Sequence, residues 1–267
     1  MSKIHNSHYI HGTDEAEQSR LAKLNYLTNA SFLEFVETKE TEQVLELGSG
    51  LGILAEQVSR RLTSGKMTGI EISTEQIARC PPQNENLVFI CADARNLPFE
   101  KNSFDTIYCR YILEHVPDPL SVLKEAKRVL KPAGKLFIQE NAILLLKLYP
   151  ECVVFGEVWN AFARYQHHIG GDSMIGLKLY DLLKRAGFKA PVLSMAPEIH
   201  YRETKTHKPW IDNLIGNIRG AKDQLVRGNY ISEKQYAEAI TELEEFKEND
   251  NAASYFYWNR AKASKDR

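Results

Sequence analysis

The stretch Val44-Leu-Glu-Leu-Gly-Ser-Gly-Leu-Gly52 decides the fold. A short apolar run enters a glycine turn, and beyond it Leu51, Leu54, Ala55, Val58 and Leu62 recur on one helical face. The order is therefore strand, tight turn, helix. Gly48 and Gly50 carry no Cβ, so the backbone can approach a ligand closely and adopt positive φ. A helix N-terminus offers unpaired N–H groups and the positive end of a dipole. Taken alone, such a loop suits a dinucleotide or another nucleoside cofactor. A dinucleotide fingerprint places its third glycine at the sixth position, where Ile53 stands here; Gly52 comes one residue early. Glu46, two residues before Gly48, matches a cationic cofactor better than a pyrophosphate.

Outward from this point, apolar runs alternate with amphipathic stretches between Gln43 and Gln139. Strands are expected at Gln43–Leu47, Lys66–Ile72, Leu87–Ala92, Phe104–Tyr108 and Gly134–Gln139. Right-handed crossovers then place helices on both faces of a mostly parallel, doubly wound α/β sheet. Ser73 with Gln76 reads as a capping box, and Asp118-Pro119 as a side-chain cap followed by Pro at the first helical position. That last helix turns Leu120, Leu123 and Leu130 inward. Acidic residues end successive strands. Glu71 closes the second strand 19 positions after Gly52, where a carboxylate can accept from both ribose hydroxyls. Asp93 ends the third, where it could accept from an adenine amine or merely cap a turn. Cys109–Tyr111 lies just past the fourth, at the carboxyl edge where open α/β sheets bind ligands.

The flanks read differently. Thr13 to Val36 has the pattern of one amphipathic helix, whereas Asn141 to Gly171 is aromatic-rich with no regular period. Helices are expected at Leu177–Ala186, ended by Gly187, at Thr206–Val226, and at Ser232–Phe246 with a Ser232/Gln235 capping box. Val192–Met195 and Ala253–Arg260 read as strands, Glu242–Asp250 as a solvated helix face and Lys262–Arg267 as a solvated tail. The implied organisation is an N-terminal helical cap (1–42), a cofactor-binding core (43–200), a helical insertion or lid (201–250) and a final strand with tail (251–267).

The chain has 267 residues with 34 Lys+Arg against 35 Asp+Glu, a net charge of -1 that argues against nucleic acid and anionic membrane as partners. The run from Ala142 to Leu148 is too short to span a bilayer and contains Lys147. The first eight residues lack the apolar centre of a secretory signal, so a cytoplasmic protein is expected. Cys80, Cys91, Cys109 and Cys152 form no C-x-x-C pair, and Cys91 and Cys109 fall in strand-like runs; reduced, buried thiols and no metal site are expected.

Together these signals resemble the class I S-adenosylmethionine-dependent methyltransferases, in particular the UbiE-like, type 11 group that acts on small molecules. The resemblance covers about Gln43 to Glu140: the E-x-G-x-G-x-G loop, Glu71, Asp93, and the Leu-x-x-Ala-x-x-Val-Leu-Lys-Pro-x-Gly stretch from Leu123 to Gly134. Weaker similarity continues through Gly170-Gly-Asp172 and Ala186-Gly187-Phe188 to the final strand. It implies a seven-stranded Rossmann-like sheet whose last strand, Ala253–Arg260, runs antiparallel after a helical insertion. The implied cofactor is S-adenosyl-L-methionine, with S-adenosyl-L-homocysteine as product. Gly48 and Gly50 would pass under it, Glu46 would lie near its methionyl ammonium, and Glu71 would hold the ribose with Ile72 and Gln76 beside it. Asp93 and the Ala94 N–H would meet the adenine, backbone at Cys109 and Arg110 would border the methionyl arm, and Tyr9 and Arg20 would close over it from the N-terminal helix.

Activity expected on this basis is methyl transfer to an N, O or C atom of a small-molecule acceptor, by a chain that could pair with a second copy. A nucleic-acid or protein methyltransferase, or a non-catalytic partner subunit of the same fold, stands as the alternative. Tyr108-Cys-Arg-Tyr111 differs from the Asn/Asp-Pro-Pro-aromatic motif of amino-methylating nucleic-acid enzymes. His115 is a candidate general base or a packing histidine. His167-His168 fits a pocket-shaping loop better than a metal site, and Tyr149, Phe155, Trp159, Phe162 and Tyr165 could line a pocket or fill a core.

Overall fold

The structure, a computed structural model, describes residues 24, 25 and 28–266. Tyr9, Arg20 and most of the expected N-terminal helix lie outside these residues. The chain divides into two compact units, a sheet unit (Asn29–Asn141, Ile175–Ala196 and Asn259–Arg267) and a helical unit that includes Ala142–Met174 and Pro197–Trp258. Two long strands, β7 (Lys189–Tyr201) and β8 (Ala253–Ser264), contribute residues to both.

In the sheet unit, helical residues 29–35 (α1) precede β1 (Gln43–Leu47), α2 (Ile53–Ser59), β2 (Lys66–Glu71), α3 (Thr74–Ile77) and β3 (Leu87–Cys91). Then come β4 (Phe104–Arg110), a 3-10 turn at Leu113–His115, α4 (Pro119–Val129) and β5 (Leu130–Glu140). After the helical segment the chain returns through α6 (Leu179–Arg185). Strand order is β3-β2-β1-β4-β5-β8. The first five strands are parallel, with Val44 opposite Met67 and Leu47 opposite Cys109. β8 runs antiparallel to β5, pairing Gln139 with Arg260.

Side-chain alternation sorts the core. Leu45, Leu47, Ile107, Cys109, Leu136 and Ile138 pack on one face with Val122, Leu123 and Ala126 of α4 and Leu183 of α6. Val44, Met67, Tyr108 and Phe137 pack on the other with Phe32 of α1 and Leu54, Ala55 and Val58 of α2. Each such fully buried large apolar side chain contributes roughly 1.5–3 kcal/mol. α4 starts as the sequence predicts, with the Asp118 carboxylate accepting from Ser121 N at 3.1 Å. α3 is only four residues long, and Ser73 supplies just the forward half of its expected box, accepting from Gln76 N.

In the helical unit, α5 (Val153–His168), α7 (His207–Arg227) and α8 (Glu233–Glu248) pack together. α5 occupies much of the stretch in which no period was read. Its Phe155, Trp159 and Phe162 are buried, with Trp159 and Phe162 stacked at 5.2 Å, so these aromatics are core. Tyr149 is exposed and Tyr165 meets Tyr230 edge-on. The Ser232/Gln235 box at α8 forms in both directions.

The expected mostly parallel α/β sheet is present; among the described residues there are eight strands, Lys147–Tyr149 adding a short β6 paired with Ala253–Tyr255. Two expectations need correction. Of the expected tail Lys262–Arg267, whose last residue lies outside the described residues, Lys262–Asp266 is held: β8 runs to Ser264, Lys262 Nζ donates to Glu37, and Lys265 Nζ donates to the Leu130 carbonyl. The Cys91 thiol is exposed, because it ends β3 at the sheet edge, whereas Cys109 and Cys152 are buried.

Candidate active site

The carboxyl ends of β1, β2 and β3 bring the sequence-predicted acids Glu46, Glu71 and Asp93 to one edge of the sheet unit. Alternation along β1 points Glu46 to the side of Val44. Its carboxyl is buried, and burial pushes its pKa up to about 8; the Ser49 hydroxyl and the Arg110 charge offset part of this, and the Glu71 charge adds to it. Among the described residues neither Glu46 Oε2 nor the Ser49 hydroxyl makes a close hydrogen bond; Ser49 stands near the carboxyl without closing onto that oxygen.

The turn after β1 is left-handed at Gly48, Gly50 and Gly52, with φ of 71°, 53° and 70°. The positive φ favours glycine at Gly48, and a Cβ there would stand 2.8 Å from Ile112 Cδ1, so that side chain would have to shift. The turn is tied to the sheet by Ser49 N donating to the Ile70 carbonyl at 2.8 Å. Glu71 ties it again: Oε2 accepts from Gly50 N and Oε1 from Ser73 N, both at 3.0 Å. Gln76 faces the same turn, its Oε1 lying 3.3 Å from where a Gly50 Cβ would be, and Ile72 is exposed beside it.

Asp93 sits at the carboxyl side of β3 as expected, but it is engaged locally. Arg95 donates from Nε and Nη2 to both of its oxygens, and this pairing lowers its pKa. Ala94 is buried.

Near the end of β4, Cys109 is fully buried, and burial pushes its thiol well above the usual range. Arg110 donates to Asn29 Oδ1 at 2.7 Å and lies over the rings of Phe32 and Tyr111, at 5.3 and 5.1 Å. Tyr111 takes a positive φ of 59°, a conformation rare for an aromatic residue. Arg260 Nε donates to Gln139 Oε1, and Gln139 Nε2 donates to the Tyr111 hydroxyl at 2.6 Å. Because Arg can only donate, it fixes which way the Gln139 amide points.

His115 ends the 3-10 turn with Nε2 3.7 Å from Glu114 Oε1. Glu114 is itself buried and accepts from Asn141 Nδ2. Glu140, at the end of β5, is fully buried, and its Oε1 accepts from Ile112 N and Leu113 N. The structure thus brings together Glu46, Gly48, Gly50, Glu71, Gln76 and Arg110; Asp93 joins them through β3, and His115 through the turn after β4. Sequence reading missed Glu140 and Arg260. Glu140 occupies the same strand-end position as Glu71 and was findable by that rule, whereas Arg260 depends on antiparallel pairing over more than a hundred residues.

His167 and His168 are exposed on α5, and no group of three or more potential metal ligands occurs among the described residues. No helix among them is long and apolar enough to cross a membrane.

Residues 45–138 match the family described as "Methyltransferase domain". Over 173 residues the chain is 25% identical to the ubiquinone/menaquinone biosynthesis C-methyltransferase UbiE of Bdellovibrio bacteriovorus, covering 63% of this chain and 71% of that one. Over 125 residues it is 34% identical to the ubiquinone biosynthesis O-methyltransferase of Actinobacillus pleuropneumoniae, covering 42% and 53%. The chain spans about half the length of most of the curated relatives it matches. A crystal structure of Haemonchus contortus phosphoethanolamine N-methyltransferase 2, in complex with phosphomonomethylethanolamine and S-adenosylhomocysteine, shares the fold. Its TM-score is 0.54 at 19% identity, covering 94% of this chain and 53% of that one.

Proposed function

We propose that this protein binds S-adenosyl-L-methionine and methylates a small molecule, since residues 45–138 match the family described as "Methyltransferase domain" and the fold is shared with a methyltransferase solved with S-adenosylhomocysteine. The observation that carries the reading is the buried Glu46 carboxyl, one oxygen without a close partner among the described residues, beside a left-handed glycine turn anchored by Glu71. A buried carboxyl left without a partner is costly. A cationic ligand passing over Gly48 and Gly50 would meet it, which makes the donor set fit an adenosyl sulfonium.

Bound there, the cofactor supplies a methyl group activated by positive sulfur. The chain's own residues then hold and shield it. Glu46 would balance the methionyl ammonium, and Glu71 would offer the ribose its remaining lone pairs, with Ile72 and Gln76 alongside. Asp93 would share its carboxylate between Arg95 and the adenine amine, with the Ala94 N–H toward the ring. Backbone at Cys109 and Arg110 would border the methionyl arm, and Tyr9 and Arg20 are further candidate contacts. Holding donor and acceptor in line supplies ~7–11 kcal/mol of the barrier, more than the ~10²–10⁴-fold given by one base. His115 takes the proton where the acceptor must lose one; a neutral amine acceptor needs no such help.

The test is incubation with methyl-labelled S-adenosyl-L-methionine and a metabolite extract, followed by mass spectrometry. A labelled small product with S-adenosyl-L-homocysteine is expected. Label found only in protein or nucleic acid, or cofactor binding with no transfer to any fraction, would overturn the small-molecule reading.

A further inference from the structure

Glu140 lies outside the cofactor contacts just described, yet it is among the most completely buried polar groups in the sheet unit. Its Oε1 accepts two successive backbone N–H groups, Ile112 at 3.0 Å and Leu113 at 2.8 Å. Those groups open the 3-10 turn that carries Glu114 and His115 and directly follows Cys109–Tyr111. A turn entered from a positive-φ residue such as Tyr111 needs an external anchor, because its own short ladder supplies few hydrogen bonds. Ile112 also packs against the place where a Gly48 Cβ would stand, so the turn's position reaches the glycine loop.

We propose that Glu140 is a positioning residue, whose carboxyl clamps the Ile112–His115 turn and thereby fixes the backbone bordering the cofactor. This deepens the reading above and rests on it. The titratable groups acting on or beside Glu140 are Glu114 on the turn and Cys109 on β4, with the Glu46 carboxyl near Cys109. Burial and the Glu114 charge both raise the Glu140 pKa, against the opposing pull of the turn's N–H groups. Oε2 has no hydrogen-bond partner among the described residues.

The test compares wild type, E140Q and E140A by amide hydrogen exchange at Ile112 and Leu113 and by calorimetric titration with S-adenosyl-L-methionine, each across neutral pH. Glutamine keeps the accepting oxygen and stays uncharged, so E140Q should match wild type within about twofold in protection and affinity, with the same pH profile. E140A should lose roughly tenfold or more in protection at both amides and bind the cofactor correspondingly more weakly. If E140A does not fold, E140Q decides alone: an altered pH profile or lost protection overturns the proposal. A folded E140A with wild-type protection and affinity overturns it as well. Failure of wild type to bind the cofactor would instead overturn the functional reading, while the exchange data would still report on the clamp.

Discussion

Glu71 Oε2 accepts the Gly50 N–H at 3.0 Å, so the acid expected to hold a ribose also holds the glycine turn beneath it. Each oxygen spends one acceptor position on backbone, Ser73 N being the other donor, and each keeps one for a ligand hydroxyl. Glu71→Ala therefore removes a ligand contact and loosens the turn together. Cofactor affinity should fall by roughly 10–100-fold, since hydrogen bonds to a charged group contribute ~1.5–3 kcal/mol. Calorimetric titration of the folded variant checks this, and unchanged affinity would remove Glu71 from the site.

Two glycines predict opposite outcomes. Gly48→Ala forces a side chain into φ 71° and against Ile112, and should cost at least roughly 1–2 kcal/mol. Gly156, inside α5, has nothing within 4 Å of its missing Cβ. Gly156→Ala should therefore stabilise by about 0.5–1 kcal/mol through helix propensity. Denaturant melts of the two variants check both signs.

Glu46 makes both stability and binding depend on pH. Its pKa is raised from 4.5 to about 8, so the folded protein keeps a proton that the unfolded chain has lost. Stability from this group is greatest below 4.5, declines as pH climbs towards about 8, and is level beyond. A cationic ligand favours the ionised carboxylate, so affinity for S-adenosyl-L-methionine should strengthen through the same window, with release of a proton on binding. Titrations in buffers of different ionisation enthalpy should detect that proton in wild type and miss it in Glu46→Gln.

α5 begins at Cys152 without a side-chain cap of its own. Glu242 of α8 supplies it, Oε1 accepting from Val153 N at 2.9 Å and Oε2 from Phe155 N at 2.7 Å. Glu242→Ala should destabilise by ~1–2 kcal/mol, whereas Glu242→Gln should recover part of the loss. Thermal melts check the order of the three proteins.

The cap also shows where sequence reading reaches its limit. Glu242 sits in an acidic run that reads as a solvated face, and only the packing of α8 on α5, some ninety residues earlier in the chain, gives it work. α5 itself was hidden because its aromatics are buried around much of the helix, which erases the one-sided period that local reading needs. The sheet unit was legible for the opposite reason. Its strands are short apolar runs bounded by Gly, Asp and Ser, and β1 falls on the expected Gln43–Leu47. Glu46, Glu71 and Asp93 could be placed because strand ends fix where they stand. The Arg95 hold on Asp93, the Glu140 clamp and the Arg260–Gln139–Tyr111 chain could not, since each depends on side-chain geometry or on pairing between distant segments.

The most direct measurement is equilibrium dialysis of labelled S-adenosyl-L-methionine against the folded wild type and the Glu46→Gln/Glu71→Ala double variant. The account predicts saturable binding to wild type, displaced by S-adenosyl-L-homocysteine, and binding weakened by at least about tenfold in the double variant. Absence of saturable binding to wild type, or equal binding by both proteins, would contradict it.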